Sequence, residues 1–141
     1  MTQSIEYFSL LTEHRELLSK NRLLAQKTMN ALTGRSNDHE CKIEDGQRLY
    51  NALASSGGEG LDHLIIALGV FFGDEVIKRG PFEWVTVKDS FGIDPVVAHT
   101  ISKAHASPIA AIHKRVSGRE QWDLEQLLTI ISNDLKKLIK I

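Results

Sequence analysis

The chain has 141 residues, of which 42% are hydrophobic and 25% charged, with a formal net charge of -1. That size fits one domain able to bury a core without disulfides or metals, and the composition excludes a disordered polyelectrolyte. The near-zero charge offers no general positive field for phosphate backbones or anionic lipid, so neither nucleic acid nor membrane is expected as a partner.

The first residues, MTQSIEYFSLLTEHRE, carry acids early and show no basic start followed by a long apolar run, so no secretory signal is expected. Cys41 is the single cysteine; within one chain it can form neither a disulfide nor a cysteine-based zinc site. Both features point to a reducing compartment, the cytoplasm.

Residues 1 to 56 read as N-terminal helices. Ile5, Phe8, Leu11, Leu18, Leu24 and Leu32 fall at intervals that a helix gathers into a stripe, ended by Gly34. A second row, Leu10, Leu17 and Leu23, leaves open a break near His14. Ser36, Asn37 or Asp38 can cap a second helix running to about Ser55, with Gly46 weakening its middle by roughly 1 kcal/mol relative to alanine. SSGGEG at 55 to 60 is a loop joining two packed helices.

Residues 61 to 78, LDHLIIALGVFFGDEVIK, are apolar on nearly every side of a helix and predict its central element. The apolar run Leu64 to Phe72 covers about half of the roughly 20 residues a membrane span requires. Gly69 and Gly73, one turn apart, open one face to a neighbouring strand or helix. From Phe82 to Asp89 the period changes to two, Ser90 to Ile93 reads as a turn, and Pro95 to Ile101 returns as a strand, giving a hairpin. A third strand over 102 to 107 stays open. Pro108 starts a helix that Gly118 stops, and a final helix over 122 to 140 begins at Asp123, carrying Leu124, Leu127, Leu128, Ile131, Leu135 and Leu138. The fold class is α+β: several helices around a central apolar helix and a small antiparallel β-hairpin or three-stranded sheet, in a single domain over 1 to 141.

Signals for chemistry are sparse. Six histidines, at 14, 39, 63, 99, 105 and 113, show no HxH or HExxH spacing, and His39-Glu40-Cys41 points three ways from a helix start. There is no GxSxG elbow and no phosphate-binding glycine loop. No catalytic, cofactor-binding or metal residue is assigned, and no cofactor is expected. Asp74 interrupts an apolar helix and requires a partner, with Lys78, Arg79 or a hairpin residue available.

Leu68-Gly69-Val70-Phe71-Phe72-Gly73-Asp74, then Glu83-Trp84-Val85-Thr86-Val87-Lys88-Asp89, Phe91-Gly92-Ile93-Asp94, Pro108 and Lys114-Arg115 together resemble a bacterial domain family of unknown function, DUF3806, over about residues 60 to 128. The resemblance implies a compact α+β domain and supplies no substrate, cofactor or catalytic residue. In that family a further apolar extended segment usually follows the hairpin, whereas Ser102 to Ser107 is polar here.

Three functional readings follow. The first is a non-catalytic protein-interaction module, accessory or immunity-like, with Glu83, Trp84, Lys88, Asp89 and Phe91 as contact candidates, since a few aromatic and charged anchors carry most of an interface's energy. The second is a self-associating protein, a homodimer closed by a Leu127/Ile131/Leu138 stripe. The third is an enzyme built on Asp74, His99 and His105, with His99 and His105 on one side of an extended segment.

Overall fold

The computed structural model describes residues 5–137. In chain order the elements are β1 (Glu6–Phe8), α1 (Thr12–Leu32), α2 (Ile43–Ser55), α3 (Asp62–Ile77), β2 (Phe82–Asp89), β3 (Gly92–His99), β4 (His105–Ala106), α4 (Pro108–Ser117) and α5 (Leu124–Lys137). The strands form one antiparallel sheet in the order β1-β2-β3-β4. The fold is α+β.

Helix α3 is the centre, as its uniformly apolar sequence requires. Ala67, Leu68, Val70, Phe72 and Val76 are all fully buried, each large side chain contributing about 1.5–3 kcal/mol of burial. The two small residues on this helix work as close-approach points. A Cβ at Gly69 would lie 2.6 Å from Ile109 Cα, so α4 crosses α3 there with backbone nearly touching. A Cβ at Gly73 would overlap the Trp84 indole, so β2 is seated against α3 by the same device.

Strand alternation divides the sheet into two faces. Phe82, Trp84, Val97 and Ala106 join the helical core, while Val85, Val87, Val96 and Ala98 form a separate apolar cluster on the opposite face with Tyr7 packed against it. Strand β3 carries Pro95 opposite Thr86. Beyond it β4 pairs only with Val97 and Ala98, so among the described residues the buried Pro95 has no strand partner on its outer side, where a missing N–H breaks no ladder.

Four expectations change. Glu6 to Phe8 are a strand, paired with Thr86 to Lys88; their helical spacing is overruled by the unpaired edge that β2 offers, and α1 starts at Thr12. The break sits before His14, between a strand and a helix. None of Ser36, Asn37 or Asp38 caps α2, because the loop continues to Lys42. Instead Asp45 accepts the Lys42 N–H at 2.8 Å, and buried Asn30 donates to the carbonyls of Asn37 and His39 to hold the loop. Gly46 leaves α2 continuous; a Cβ there would lie 2.6 Å from the Phe71 ring, so the glycine serves packing. Helix α5 is capped as expected, Asp123 accepting from the N–H groups of Glu125 and Gln126 at 2.9 and 3.2 Å. Leu138 and Lys140, part of its expected length, lie outside the described residues.

The third strand exists, at two residues. His99 supports the turn before it: its Nδ1 accepts from the N–H groups of Ile101 and Ser102 at 3.1 and 3.2 Å. Lys103 takes the left-handed conformation inside that turn, with φ 64°.

Candidate functional site

Two surfaces and one internal network carry the polar and exposed residues a function could use. The hairpin β2–β3 ends in an exposed stretch, residues 90 to 94. At its end Phe91 is 87% exposed, with Ile93 at 50% and Phe8 at 42% nearby on the sheet. The turn is set locally, by Asp89 accepting the Phe91 N–H at 2.8 Å, which turns Asp89 inward to its own loop and leaves the phenyl ring in solvent.

The five contact candidates therefore separate. Glu83 and Lys88 are exposed on opposite faces of β2, Asp89 shapes the turn, and Phe91 projects. Trp84 is half-buried against Gly73, and its Nε1 donates to Asp74 Oδ1 at 3.0 Å. Its position in the seam between sheet and helix sets it apart from the other four.

Asp74 is the hub of the network. Arg22 on α1 grips its carboxylate with two bonds, from Nε at 2.6 Å and from Nη2 at 2.9 Å. The residues beside Asp74 in sequence go elsewhere: Lys78 pairs with Glu75 at 2.6 Å and Arg79 with Glu125 at 2.5 Å. Of the partners the sequence offers, only the hairpin residue reaches Asp74. Two residues further along β2, the fully buried Thr86 hydroxyl accepts the Leu11 N–H at 3.2 Å and shares a 2.8 Å bond with His14 Nδ1. Helix α1 is thereby fastened to β2 at its start and to α3 in its middle.

The Asp74, His99 and His105 constellation is not assembled. His105 stands directly across from Ala98 in the ladder, so it lies on the sheet face opposite to that of His99. His105 Nδ1 meets the Tyr7 hydroxyl at 3.1 Å, His99 is 2% exposed with its Nδ1 occupied by the turn, and Asp74 is held by Arg22 and Trp84. The expectation that His99 and His105 share one side fails because the turn at 100 to 104 shifts the register of β4 by one residue. His113 lies 3.8 Å from Asp62. Among the described residues no group of three or more His, Cys, Asp or Glu side chains is placed to hold a metal ion. Cys41 is turned toward Asn30, its thiol 3.4 Å from Oδ1, and burial followed by the charge of Asp45 pushes its pKa up.

A cleft that no sequence motif announces lies between α2 and the 118 to 123 loop, with a volume of about 900 Å³. Its floor includes the buried ring of Tyr50, whose hydroxyl donates to the Glu120 carbonyl at 2.7 Å. Gln47 braces one side: Nε2 donates to the Trp122 carbonyl at 2.8 Å and Oε1 accepts the Leu124 N–H at 2.6 Å. Trp122 forms part of the wall, with the Arg115 guanidinium 4.8 Å from its ring centroid and its Nε1 donating to Glu120 Oε1 at 2.9 Å. The residue pairs that build the cleft are far apart in sequence, which is why no local pattern reveals them.

Residues 47–127 match the family model described as a domain of unknown function, DUF3806. The chain belongs to the DUF3806 family. The match begins at Gln47, the residue whose amide spans the 122 to 124 backbone near the other end of the matched segment. The DUF3806 segment thus reaches further back than the glycine-bearing helix and tryptophan hairpin alone, taking in most of α2. It contains Gly69, Gly73 and Trp84, the seam between α3 and the sheet, and the hairpin end. No curated protein and no solved structure matches the chain.

Proposed function

We propose that this DUF3806 protein is a non-catalytic protein-interaction module, an accessory or immunity-like protein of a bacterial cytoplasm, and that it binds its partner through the end of the β2–β3 hairpin. The observation that carries the reading is Phe91, a large aromatic side chain 87% exposed in the turn between β2 and β3. Water contact over a whole phenyl ring is unfavourable, and burial of such an aromatic in a partner's pocket is the usual way a small interface gains most of its energy.

Charge defines the partner further. Alternation places Glu83, Asp89 and Asp94 on one face of the hairpin, and among the described residues none of the three forms an ion pair. Lys88 stands on the other face, across from Glu6 and Ile93. A partner surface with an apolar pocket ringed by Lys or Arg complements this arrangement.

The self-association reading has lost its mechanism. Leu127 is 1% exposed inside the protein's own core and Ile131 is packed against that core, while Leu138 lies outside the described residues. Helix α5 spends its stripe on α2, α3 and the sheet.

The test is site-specific crosslinking. A photoreactive phenylalanine analogue at position 91, expressed in the native host, is expected to crosslink one protein, whose modified residue lies in a basic, apolar-pocketed surface. The same analogue at exposed Leu23 on α1 serves as control. Equal capture from both positions, or none from 91, overturns the proposal.

A further inference from the structure

The chain passes from β3 to β4 through a turn hung on one buried imidazole, at the opposite end of β3 from Phe91. We infer that His99 is an acid switch for this turn: a solvent proton taken up at Nδ1 releases residues 100 to 104 and the two-residue strand β4 behind them, while the helical core stays folded. The device is independent of any partner at the hairpin.

The bonding leaves no place for that proton in the closed turn. Nδ1 accepts from the N–H groups of both Ile101 and Ser102, at 3.1 and 3.2 Å. Two donors aimed at one ring nitrogen make it the bare one, with the ring proton on Nε2. An imidazolium carries a proton on each nitrogen and accepts nothing, so protonation sets N–H against N–H twice. The rest of the turn depends on the same residue. The His99 N–H donates to the Ala104 carbonyl at 2.8 Å, and the His99 carbonyl accepts from the Lys103 N–H at 3.1 Å. Lys103 holds its left-handed φ of 64°, uncommon outside glycine, within that scaffold. Past the turn, β4 pairs only with Val97 and Ala98.

The surroundings favour the neutral ring. His99 is 2% exposed and lies edge to face with Phe82, centroids 5.9 Å apart. Among the described residues no carboxylate is within ion-pair distance of it. The charges on the elements around it are cations, paired, or on the far side. Lys103 lies in the turn itself, and Lys136 lies against Gly80, two residues before Phe82. On α3, Asp74 is held by Arg22 and Glu75 by Lys78; on α5, Glu125 is held by Arg79, and Asp134 lies 3.9 Å from Lys137. Glu83, Asp94 and His105 stand on the other face of the sheet, and Lys88 and Asp89 at the far end of β2.

The closed turn therefore binds one proton fewer than the open one, and opening grows as pH falls. For an open turn whose imidazole titrates at the ordinary value of about 6.5, opening is roughly tenfold greater at about pH 5.5 than at about pH 7.5. Release of β4 removes the partner of Val97 and Ala98 and parts His105 from Tyr7, so acid lengthens the unpaired edge of β3.

NMR of the full chain tests this. At the neutral end the His99 ring nitrogens are expected to report a bare Nδ1 and a protonated Nε2. Across that pH range the exchange protection of the Ile101 and Ser102 amides is expected to fall roughly tenfold, with Lys103 and Ala106 following and the amides of α3 unchanged. H99N places Oδ1 where it accepts the same two N–H groups and has no basic nitrogen, so its turn is expected to stay protected at both ends of the range. H105Q is expected to respond as wild type does. A proton on Nδ1 at neutral pH, protection in wild type that does not change with pH, or parallel loss at α3 overturns the inference, and these three readings need no variant. Equal loss in H99N, or a response abolished in H105Q, overturns it as well.

Discussion

Gln47 and Leu124 are joined side chain to backbone at 2.6 Å, and the same amide of Gln47 donates to the Trp122 carbonyl at 2.8 Å. One side chain on α2 thus satisfies the chain on both sides of Asp123, where α5 begins. Replacing Gln47 by alanine is expected to cost about 1–3 kcal/mol, because an N–H and a C=O are left without partners in a partly buried place. Q47E keeps the acceptor for Leu124 and loses the donor for Trp122, so its urea midpoint is expected between those of wild type and Q47A.

The seam between α3 and β2 depends on a side chain that is absent. G73A is expected to destabilise by at least 1–3 kcal/mol, roughly the cost of overpacking, since its methyl group overlaps the Trp84 ring. Combining it with W84F is expected to be less damaging than the two changes added together, because the smaller ring clears the space. Chemical denaturation of the four proteins in the cycle measures the coupling; strict additivity would show that the overlap is relieved elsewhere.

Asp45 gives the fold an acid-sensitive element. Burial works to raise its pKa, but the Lys42 N–H bond and the nearby Arg35 guanidinium outweigh that and hold the carboxyl below its ordinary value. A depressed folded pKa contributes stability that is fully present at neutral pH and is lost as pH falls below about 4, through the folded value. The stability gap between wild type and D45N is therefore expected to be large at pH 7 and to narrow on acidification. A gap independent of pH between 7 and 3 would contradict the assignment.

Cys41 is expected to be a slow nucleophile. Its raised pKa, from burial first and then Asp45, lowers the thiolate fraction at neutral pH. Alkylation by iodoacetamide should run slower than for a model thiol and accelerate only at a pH above the ordinary thiol range. D45N removes one of the two causes and is expected to speed the reaction modestly.

Tyr7 and His105 tie the two outermost strands together across the sheet, hydroxyl to Nδ1 at 3.1 Å with rings edge to face at 5.5 Å. Y7F is expected to lower stability by about 1 kcal/mol and to raise amide exchange at β1 before any other strand, because three residues of pairing are its main hold on the sheet. In contrast F91S, at an exposed tip, is expected to leave stability within about 0.5 kcal/mol of wild type.

The elements with their own periodicity were legible from the chain: α3 by its all-round apolar run, β2 by alternation, α4 by Pro108, α5 by its stripe and the Asp123 cap. So was the service of Gly69 and Gly73 in close packing, though not what they would meet. The partner of Asp74 was readable in half, since Trp84 is ten residues away on the next element and Arg22 is fifty-two residues away on α1. Strand β1 was hidden because EYF, although Tyr7 and Phe8 favour strands, is too short to show an alternation; three residues become a strand only when an unpaired edge receives them.

Local propensity and hydrophobic period act within one segment, so the amino-acid order by itself determined most elements, the α+β class and the family. Register, face and convergence depend on where distant segments come to rest. Tertiary structure alone decided that His99 and His105 fall on opposite faces, that the α5 stripe is consumed by the core, and that Gln47, Tyr50 and Trp122 enclose a cleft. A one-residue shift in pairing reverses the face of a side chain, and no short-range pattern encodes that shift.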